Sequence, residues 1–441
     1  MKNQLNLLLS TLTLLILFSF AACSDDNSTG SNGETPESHA TINGTVQDEF
    51  SKSTANSMAK VPDNTVVTAA TISSSGSLEM KEETETEVEA SGDFSLDVDA
   101  STAEEIVVVA EGNGSKLKGF ISAEVENENS YTIKPLDVES SAETDVYTEI
   151  KADGNTNIVH KSDIETVVTA NSAADVYGNS SATGEVVAAV TNSAQARADF
   201  FAEFTESAEA NIDSYFEAMT DAQFEYEAAL NSSTSNDQAE AAFEAFLETK
   251  VNAYSDAGLE AKENAEFLHL QGKAILNSMG SVSAEVENEA RHNSSFMLAI
   301  ATDNAVRTRA EASGMSQSTI DAIADAGVTL RADVRGSNGS ESSVEAAFET
   351  YHDEVRGAIE SDSSVEGAAV VTIDTEINVA SGAKATLSST LSGLVDASQM
   401  IDAYIQFDSE VDAIVDTNSG LIGDIDAEIL SDIMVLINLS S

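Results

Sequence analysis

Three Ser-x-x-Lys pairs, Ser57/Lys60, Ser115/Lys118 and Ser381/Lys384, have the spacing at which a lysine one helical turn away activates a serine hydroxyl as a nucleophile. The chain is rich in serine, so the spacing arises by accident, and no Lys-Thr-Gly or Ser-Asp-Asn sequence accompanies it. The five histidines, His39, His160, His269, His292 and His352, are scattered singly, without the His-Glu-x-x-His pattern of a metal centre. Asp416-x-Asn418-x-Gly420, with Asp424 and Asp426 beyond it, clusters the oxygens that a calcium ion wants. Its glycine falls one place early and the twelfth position is Ala427 rather than Glu, so a turn between helices is the better reading. Asp97-x-Asp99 is a second acidic pair, and calcium binding there is left open. No catalytic constellation emerges, and no cofactor or metal is expected.

One residue is set up for a different chemistry. Cys23 is the only thiol in the chain. Before it lie Lys2, an apolar run from Leu7 to Phe20 broken only by Ser and Thr, and the small residues Ala21 and Ala22. A charged start, a short apolar stretch and small residues at its end form a secretory signal, too short to span a bilayer stably. Phe20-Ala21-Ala22-Cys23 resembles the lipobox of bacterial lipoproteins, with Phe20 where that family more often has Leu. The resemblance implies cleavage before Cys23 and acyl chains on its sulfur and amino group, each buried methylene adding about 0.8 kcal/mol of anchoring. Ser24-Asp25-Asp26 resembles the serine-plus-acid signal that sends some lipoproteins to the outer face of the outer membrane; it equally begins a solvated tether.

With no other cysteine, the exported body has no internal disulfide and relies on core burial. Its 77 Asp and Glu against 20 Lys and Arg leave a net charge of -57. That surface repels phosphate backbones and anionic headgroups, which excludes nucleic acid as a partner. The same excess keeps the protein soluble while straining it by self-repulsion unless salt screens it, and with so few lysines and no Trp it suggests a saline habitat.

Four segments follow from composition. Residues 1–22 are the signal peptide and 23–38 a polar, flexible tether. Residues 39–136 carry strand patterns: Ala40–Val46 alternates, Thr65–Ile72 is β-branched, Asp93–Val98 alternates, Ile106–Ala110 is a buried-type run, and Tyr131–Ile133 closes the set. Glycines between them mark turns, and an antiparallel sandwich of about seven strands is expected. Ile42-Asn43-Gly44-Thr45-Val46, Gly92-Asp93-Phe94-Ser95-Leu96 and Val107-Val108-Val109-Ala110 resemble three strands of the carboxypeptidase-regulatory-like, transthyretin-type β-sandwiches. The likeness departs at the polar segment Ser53–Pro62 and at the acidic stretch Glu79–Glu89, a long loop or an extended hairpin. It implies a passive spacer or adhesive module without an active site.

Beyond Pro135 the pattern changes. At an average usage of ~5%, roughly fifteen prolines would fall in the rest of the chain, and there is none. Proline is excluded from helix interiors, so this alanine-rich tract, 137–441, reads as a long-helix, mainly antiparallel α-helical domain. Phe201, Phe204, Ala208, Ile212, Tyr215, Met219, Ala222, Tyr226 and Ala229 make one stripe, expected to lie on a single long helix and to be core rather than a partner face. After a break at Asn231–Asn236, a second long helix carries Phe243, Leu247, Val251, Tyr254, Ala261, Ala265, Leu268 and Ile275. Ser162/Glu165 and Ser342/Glu345 read as capping boxes, and Ser316 as another helix start. Leu387, Leu391, Leu394, Ala397, Ile401 and Ile405 form an inward stripe, and Ile425, Ile429, Ile433 and Leu436 a last one. Residues 368–380 fit strand and helix alike, with helix preferred for want of a partner strand.

The expected protein is a non-enzymatic, surface-exposed envelope lipoprotein, held to the outer membrane by its N-terminal lipid, with a structural, adhesive or binding role and a protein or glycan partner. The alternative is a solute- or glycan-capture lipoprotein serving an outer-membrane transporter, which calls for a concave pocket between helices lined by aromatics. Replacing the thiol tests the anchor: Cys23→Ser moves the protein from the membrane to the soluble fraction on cell fractionation. A variant that stays membrane-bound as before overturns it.

Overall fold

Ala40–Thr45 alternates apolar and polar residues, and the strand it forms, β1, buries Ala40, Ile42 and Gly44 while Thr41, Asn43 and Thr45 stay half-open. The computed structural model describes residues 39–47, 64–99, 105–112, 114–121, 124–233, 235–363 and 382–418, together with Ile433 and Leu436. The segment before His39, Ser53–Pro62, the ambiguous 368–380, and Ile425 and Ile429 lie outside these residues.

Six more strands follow β1: β2 (Val66–Ile72), β3 (Leu78–Glu87), β4 (Asp93–Val98), β5 (Ile106–Gly112), β6 (Ser115–Phe120) and β7 (Ser130–Thr132). They make two sheets, ordered β4-β1-β7 and β3-β2-β5-β6. Most neighbours are antiparallel, but β7 runs parallel to β1, with Tyr131 beside Ile42. This corrects the expectation of a wholly antiparallel arrangement. Alternation dictates which side chains face inward; strand direction depends on the end at which the connecting chain enters, which alternation does not encode. The acidic stretch becomes the edge strand β3, its glutamates outward, where charge deters pairing with a further strand.

β5 shows why a continuous apolar run is needed. Ile106, Val108 and Ala110 join residues of both sheets, Ile42, Leu96, Phe94, Val67 and Ala69 among them, in one apolar cluster. Val107 and Val109 point the other way, into a cluster with Val146, Ile150, Ile164, Val186 and Val190 from helices. A strand covered on both faces has no polar side to alternate with.

Twelve helices occur among the described residues. They are α1 (Val138–Ala152), α2 (Lys161–Glu165), α3 (Ala173–Val176), α4 (Ser180–Phe204), α5 (Ala208–Ser232), α6 (Asn236–Asp256), α7 (Ala261–Ser278), α8 (Ala284–Ala312), α9 (Gln317–Gly336), α10 (Glu341–Glu360), α11 (382–391) and α12 (Ala397–Asn418). None of the described helices is long and apolar enough to cross a membrane. Both expected long helices are divided. The first stripe spans α4 and α5, broken at residues 205–207, and the second spans α6 and α7, broken at 257–260, where Gly258 takes φ +102°. A turn of three or four residues consumes about as many positions as one helical turn, so the apolar spacing runs through the break unaltered. The inward assignment is right for Phe201, Tyr215, Met219, Tyr226, Leu247, Val251, Tyr254 and Leu268, all buried in the largest apolar cluster. Leu387, Leu391, Ala397, Ile401, Ile433 and Leu436 join the same cluster, whereas Ile405 is 41% exposed.

The expected capping boxes do not form. α2 starts two residues earlier than the Ser162 box requires, at the N-cap His160, whose ring accepts from Ser162 N while Asp163 accepts from His160 N. The N-cap of α10 is Ser340, not Ser342. Ser316 is the N-cap residue of α9.

Gly44 has a specific packing duty. It pairs with Phe94 across β1 and β4, and a Cβ there would come within 2.6 Å of the Phe94 ring and of Ile133 Cγ2. Gly44→Ala is expected to destabilise the protein by about 1–3 kcal/mol through overpacking, read as a lower urea midpoint by circular dichroism.

Candidate functional site: an aromatic-walled cleft above a buried ion network

All five residues of α2, Lys161-Ser162-Asp163-Ile164-Glu165, are buried although three are charged. Charges removed from water need partners, and these come from distant segments. Asp163 receives Arg197 of α4 through both terminal nitrogens, at 2.6 and 2.9 Å, and Lys250 of α6 at 3.2 Å. Lys250 also donates to Ser162 O and Thr166 Oγ1, each at 3.1 Å. Lys161 donates to Phe120 O at 3.0 Å, pairs with Glu227 of α5, and lies over the Phe120 ring. Glu165 accepts from Gln223 at 3.0 Å and faces Lys134, which donates to Glu143 at 2.7 Å and Glu139 at 2.9 Å.

The Arg197 guanidinium lies 4.6 Å from the Tyr215 ring centre, and Tyr215, Tyr254 and Gln271 continue the chain of hydrogen bonds at 3.3 and 3.0 Å. Four of the chain's 20 Lys and Arg thus serve the interior around α2.

The electrostatics follow from this crowding. Burial works against the Lys134 ammonium, yet the Glu139, Glu143 and Glu165 carboxylates raise its pKa well above the usual lysine range. Glu143 is pushed well up by burial, with Glu165 and Glu139 adding to the effect against Lys134. Burial also acts to raise Asp163, but Arg197 and Lys250 outweigh it and hold this carboxyl well below its ordinary range. His160 is lowered to about 4, by burial first and then by Arg197 and Lys250 against Asp163, so it is neutral at physiological pH. These groups are engaged with one another and order the junction of α2 with the β7–α1 segment, α4, α5 and α6.

Lys134 and Glu139 also reach the wall of a cleft of about 920 Å³, framed by the β7–α1 segment, the α2–α3 segment, α5, α6, α8 and the end of α9. Tyr226 lines it, stacked on Phe246 at 4.9 Å between ring centres and tilted against Phe243 at 5.7 Å. Phe296 lines the other side, with the Arg335 guanidinium 5.5 Å from its ring centre. Arg335 is clasped by Glu244 through two nitrogens, the Nη2–Oε2 distance being 2.6 Å. Glu289 accepts from Asn171 at 3.2 Å and from Asn293 at 3.3 Å. His292 stacks near Phe296, and its buried Nδ1 has no hydrogen-bond partner among the described residues.

The residues singled out from sequence are not brought together. Ser115 and Lys118 lie on β6 an odd number of positions apart, hence on opposite faces, and Lys118 pairs with Asp145. Ser57, Lys60 and Ser381 fall outside the described residues; Lys384 sits on α11, its pKa lowered to about 8 by burial and by Lys273 against Glu345 and Glu349. His39 precedes β1, His269 bonds Tyr404, and His352 is on α10, so of the five histidines His292 alone lines the cleft. Asp97 accepts from Thr41 at 3.2 Å and Asp99 from Asn127 at 3.4 Å. Asp416 and Asn418 belong to α12 rather than to a loop, while Gly420, Asp424 and Asp426 lie outside the described residues. Among the described residues, no three His, Cys, Asp or Glu gather as metal ligands. The aromatic stripe is core, as expected, with Tyr226 also facing the cleft.

Sequence reasoning missed the network and the cleft. One usable signal was present: Lys161-Ser-Asp-Ile-Glu165 places opposite charges within one helical turn, in a chain where cations are scarce.

Removing one member of such a network strands the others. Asp163→Asn leaves Arg197 and Lys250 buried without their carboxylate and is expected to cost about 3–5 kcal/mol of stability, measured by urea unfolding against the wild type. Comparison with protein-family models, with curated proteins and with solved structures finds no match to this chain.

Proposed function

We propose that this chain is a non-enzymatic, lipid-anchored binding protein of the bacterial cell envelope, surface-exposed on the outer membrane through Cys23, that captures a small solute in the cleft between α5, α6, α8 and α9. The observation that carries the binding role is the cleft itself. Its volume of about 920 Å³ falls in the range of small-molecule sites, and it combines aromatic walls with a few fixed polar groups. A purely structural or adhesive component, the other reading of the sequence, has no need of such a cavity. Lys134 and Arg335 are each held by carboxylates, so the polar groups of the lining are fixed in place by ion pairs. The lipobox-like Phe20-Ala21-Ala22-Cys23 supports the anchor, and a transporter of the outer membrane is the natural recipient of a captured solute.

The finer architecture belongs to the same proposal. The two sheets share one apolar cluster, as the sheets of a carboxypeptidase-regulatory-like β-sandwich do. Short turns at 205–207, 313–316 and 337–340 suit a mainly antiparallel helical bundle.

The test is a thermal-shift panel on the full chain in detergent, with neutral oligosaccharides, amino acids, amines and organic anions as probes. At least one class is expected to raise the melting temperature, the stabilisation reaching about 2.7 kcal/mol at a hundredfold excess over Kd. Ala239→Trp, which fills the cleft wall, is expected to abolish the rise. A panel that leaves the wild type unmoved, or that stabilises the Trp variant equally, overturns the reading.

A further inference from the structure

The lining of the cleft is unbalanced in charge. Five carboxylates, Asp137, Glu139, Glu240, Glu244 and Glu289, face it against two cations, Lys134 and Arg335. Both cations are already neutralised, Lys134 by Glu139 and Glu143 and Arg335 by Glu244. Glu289 receives neutral amide donors from Asn171 and Asn293, so its charge stands uncompensated. An anion entering this cleft meets repulsion from the lining and from a molecule of net charge -57. A neutral sugar gains hydrogen bonds but nothing from that field.

Arg335 shows what the site accepts. Its guanidinium sits over the face of Phe296, 5.5 Å from the ring centre, and its Nε and Nη2 reach the two oxygens of Glu244. An aromatic face and a carboxylate fork together form a receptor for a planar cation. Phe243, Tyr226 and Glu240 extend the same chemistry along the wall. The Arg335 side chain is 46% exposed, so it can leave that seat without unburying a core group.

We propose that the solute taken by the cleft is a small organic cation bearing a guanidinium or ammonium group, and that the Arg335 guanidinium marks the seat it competes for. The proposal rests on the binding role above and specifies its ligand class. Three consequences follow from the geometry. Affinity falls as salt rises, because steering and pairing by carboxylates are screened. Removing the charge of Glu289 weakens binding. Removing Arg335 strengthens it, since the tethered competitor is gone.

Isothermal titration calorimetry on the full chain in detergent, at low and at high salt, reads all three. The cationic probes are agmatine and choline, with maltotriose as the neutral and inorganic phosphate as the anionic comparison. At least one cation is expected to bind with unit stoichiometry, roughly tenfold more weakly in Glu289→Gln and severalfold more tightly in Arg335→Ala. Glu240→Gln provides a second, exposed charge removal that does not burden folding, and is expected to weaken binding in the same direction. The inference is overturned if neither cation binds, if the Glu→Gln variants leave affinity unchanged, or if Arg335→Ala weakens it. Maltotriose binding that Ala239→Trp abolishes, without cation binding, overturns the ligand class and leaves the cleft's binding role standing. Silence from these probes and from the thermal panel together removes both.

Discussion

The pairing of desolvated charges around α2 is the constraint on which the rest of the molecule turns. A helix of five residues is far too short to persist alone, and one carrying Lys161, Asp163 and Glu165 into the interior would be strongly unfavourable without partners. The partners arrive from the β7–α1 segment, α4, α5 and α6, so α2 can be ordered only once those elements have docked. Such a network contributes little net stability compared with an apolar core of equal volume. What it contributes is geometry: each guanidinium or ammonium fits one arrangement of its neighbours, so a shift in the packing of α4 or α6 leaves a buried charge exposed to nothing.

That geometry is carried outward by two apolar layers. One face of the β3-β2-β5-β6 sheet meets the other sheet, and its opposite face lies under α1, α2 and α4, which join it in a common cluster. The sheets and helices from Ser38 onward accordingly form one compact unit. Lys134 and Glu139 connect this interior to the cleft, so the wall of the candidate site is set by the same ion pairs that seat α2. The aromatic residues play a corresponding double part: Tyr226 belongs both to the largest apolar cluster and to the cleft, which gives the site a rigid face rather than a mobile one.

The charge of -57 takes on a different meaning once the cations are located. Lys134, Lys161, Arg197 and Lys250 are withdrawn from the surface together with Glu143, Asp163, Glu165 and Glu227, so the network is balanced within itself and the excess of negative charge lies elsewhere. The exposed glutamates of β3 and of the helix faces repel one another, and the protein tolerates this because its cohesion comes from within. The scarcity of cations also sharpens the contrast at the cleft, where five carboxylates share the lining with only two cations, each already held in an ion pair.

The sequence by itself determined local periodicity. Alternation in Ala40–Val46 and Asp93–Val98 specified strands and their inward faces, and the apolar run Ile106–Ala110 specified a strand covered on both sides. The absence of proline after Pro135 and the stripes of Phe, Tyr, Leu and Ile specified helices and most of their buried residues. These features are properties of consecutive residues, and the chain carries them wherever it goes. Only the tertiary structure decided where stripes break, because a short turn preserves apolar spacing through residues 205–207 and 257–260. It likewise decided that β7 lies parallel to β1, that His160 and Ser340 are the caps of α2 and α10, and that the acidic stretch Glu79–Glu87 is an edge strand. The ion network and the cleft lay beyond sequence reading for the same reason. Asp163 and Lys250, or Phe296 and Arg335, are neighbours only through the docking of separate helices, and no pattern of adjacent residues records a contact made across that distance.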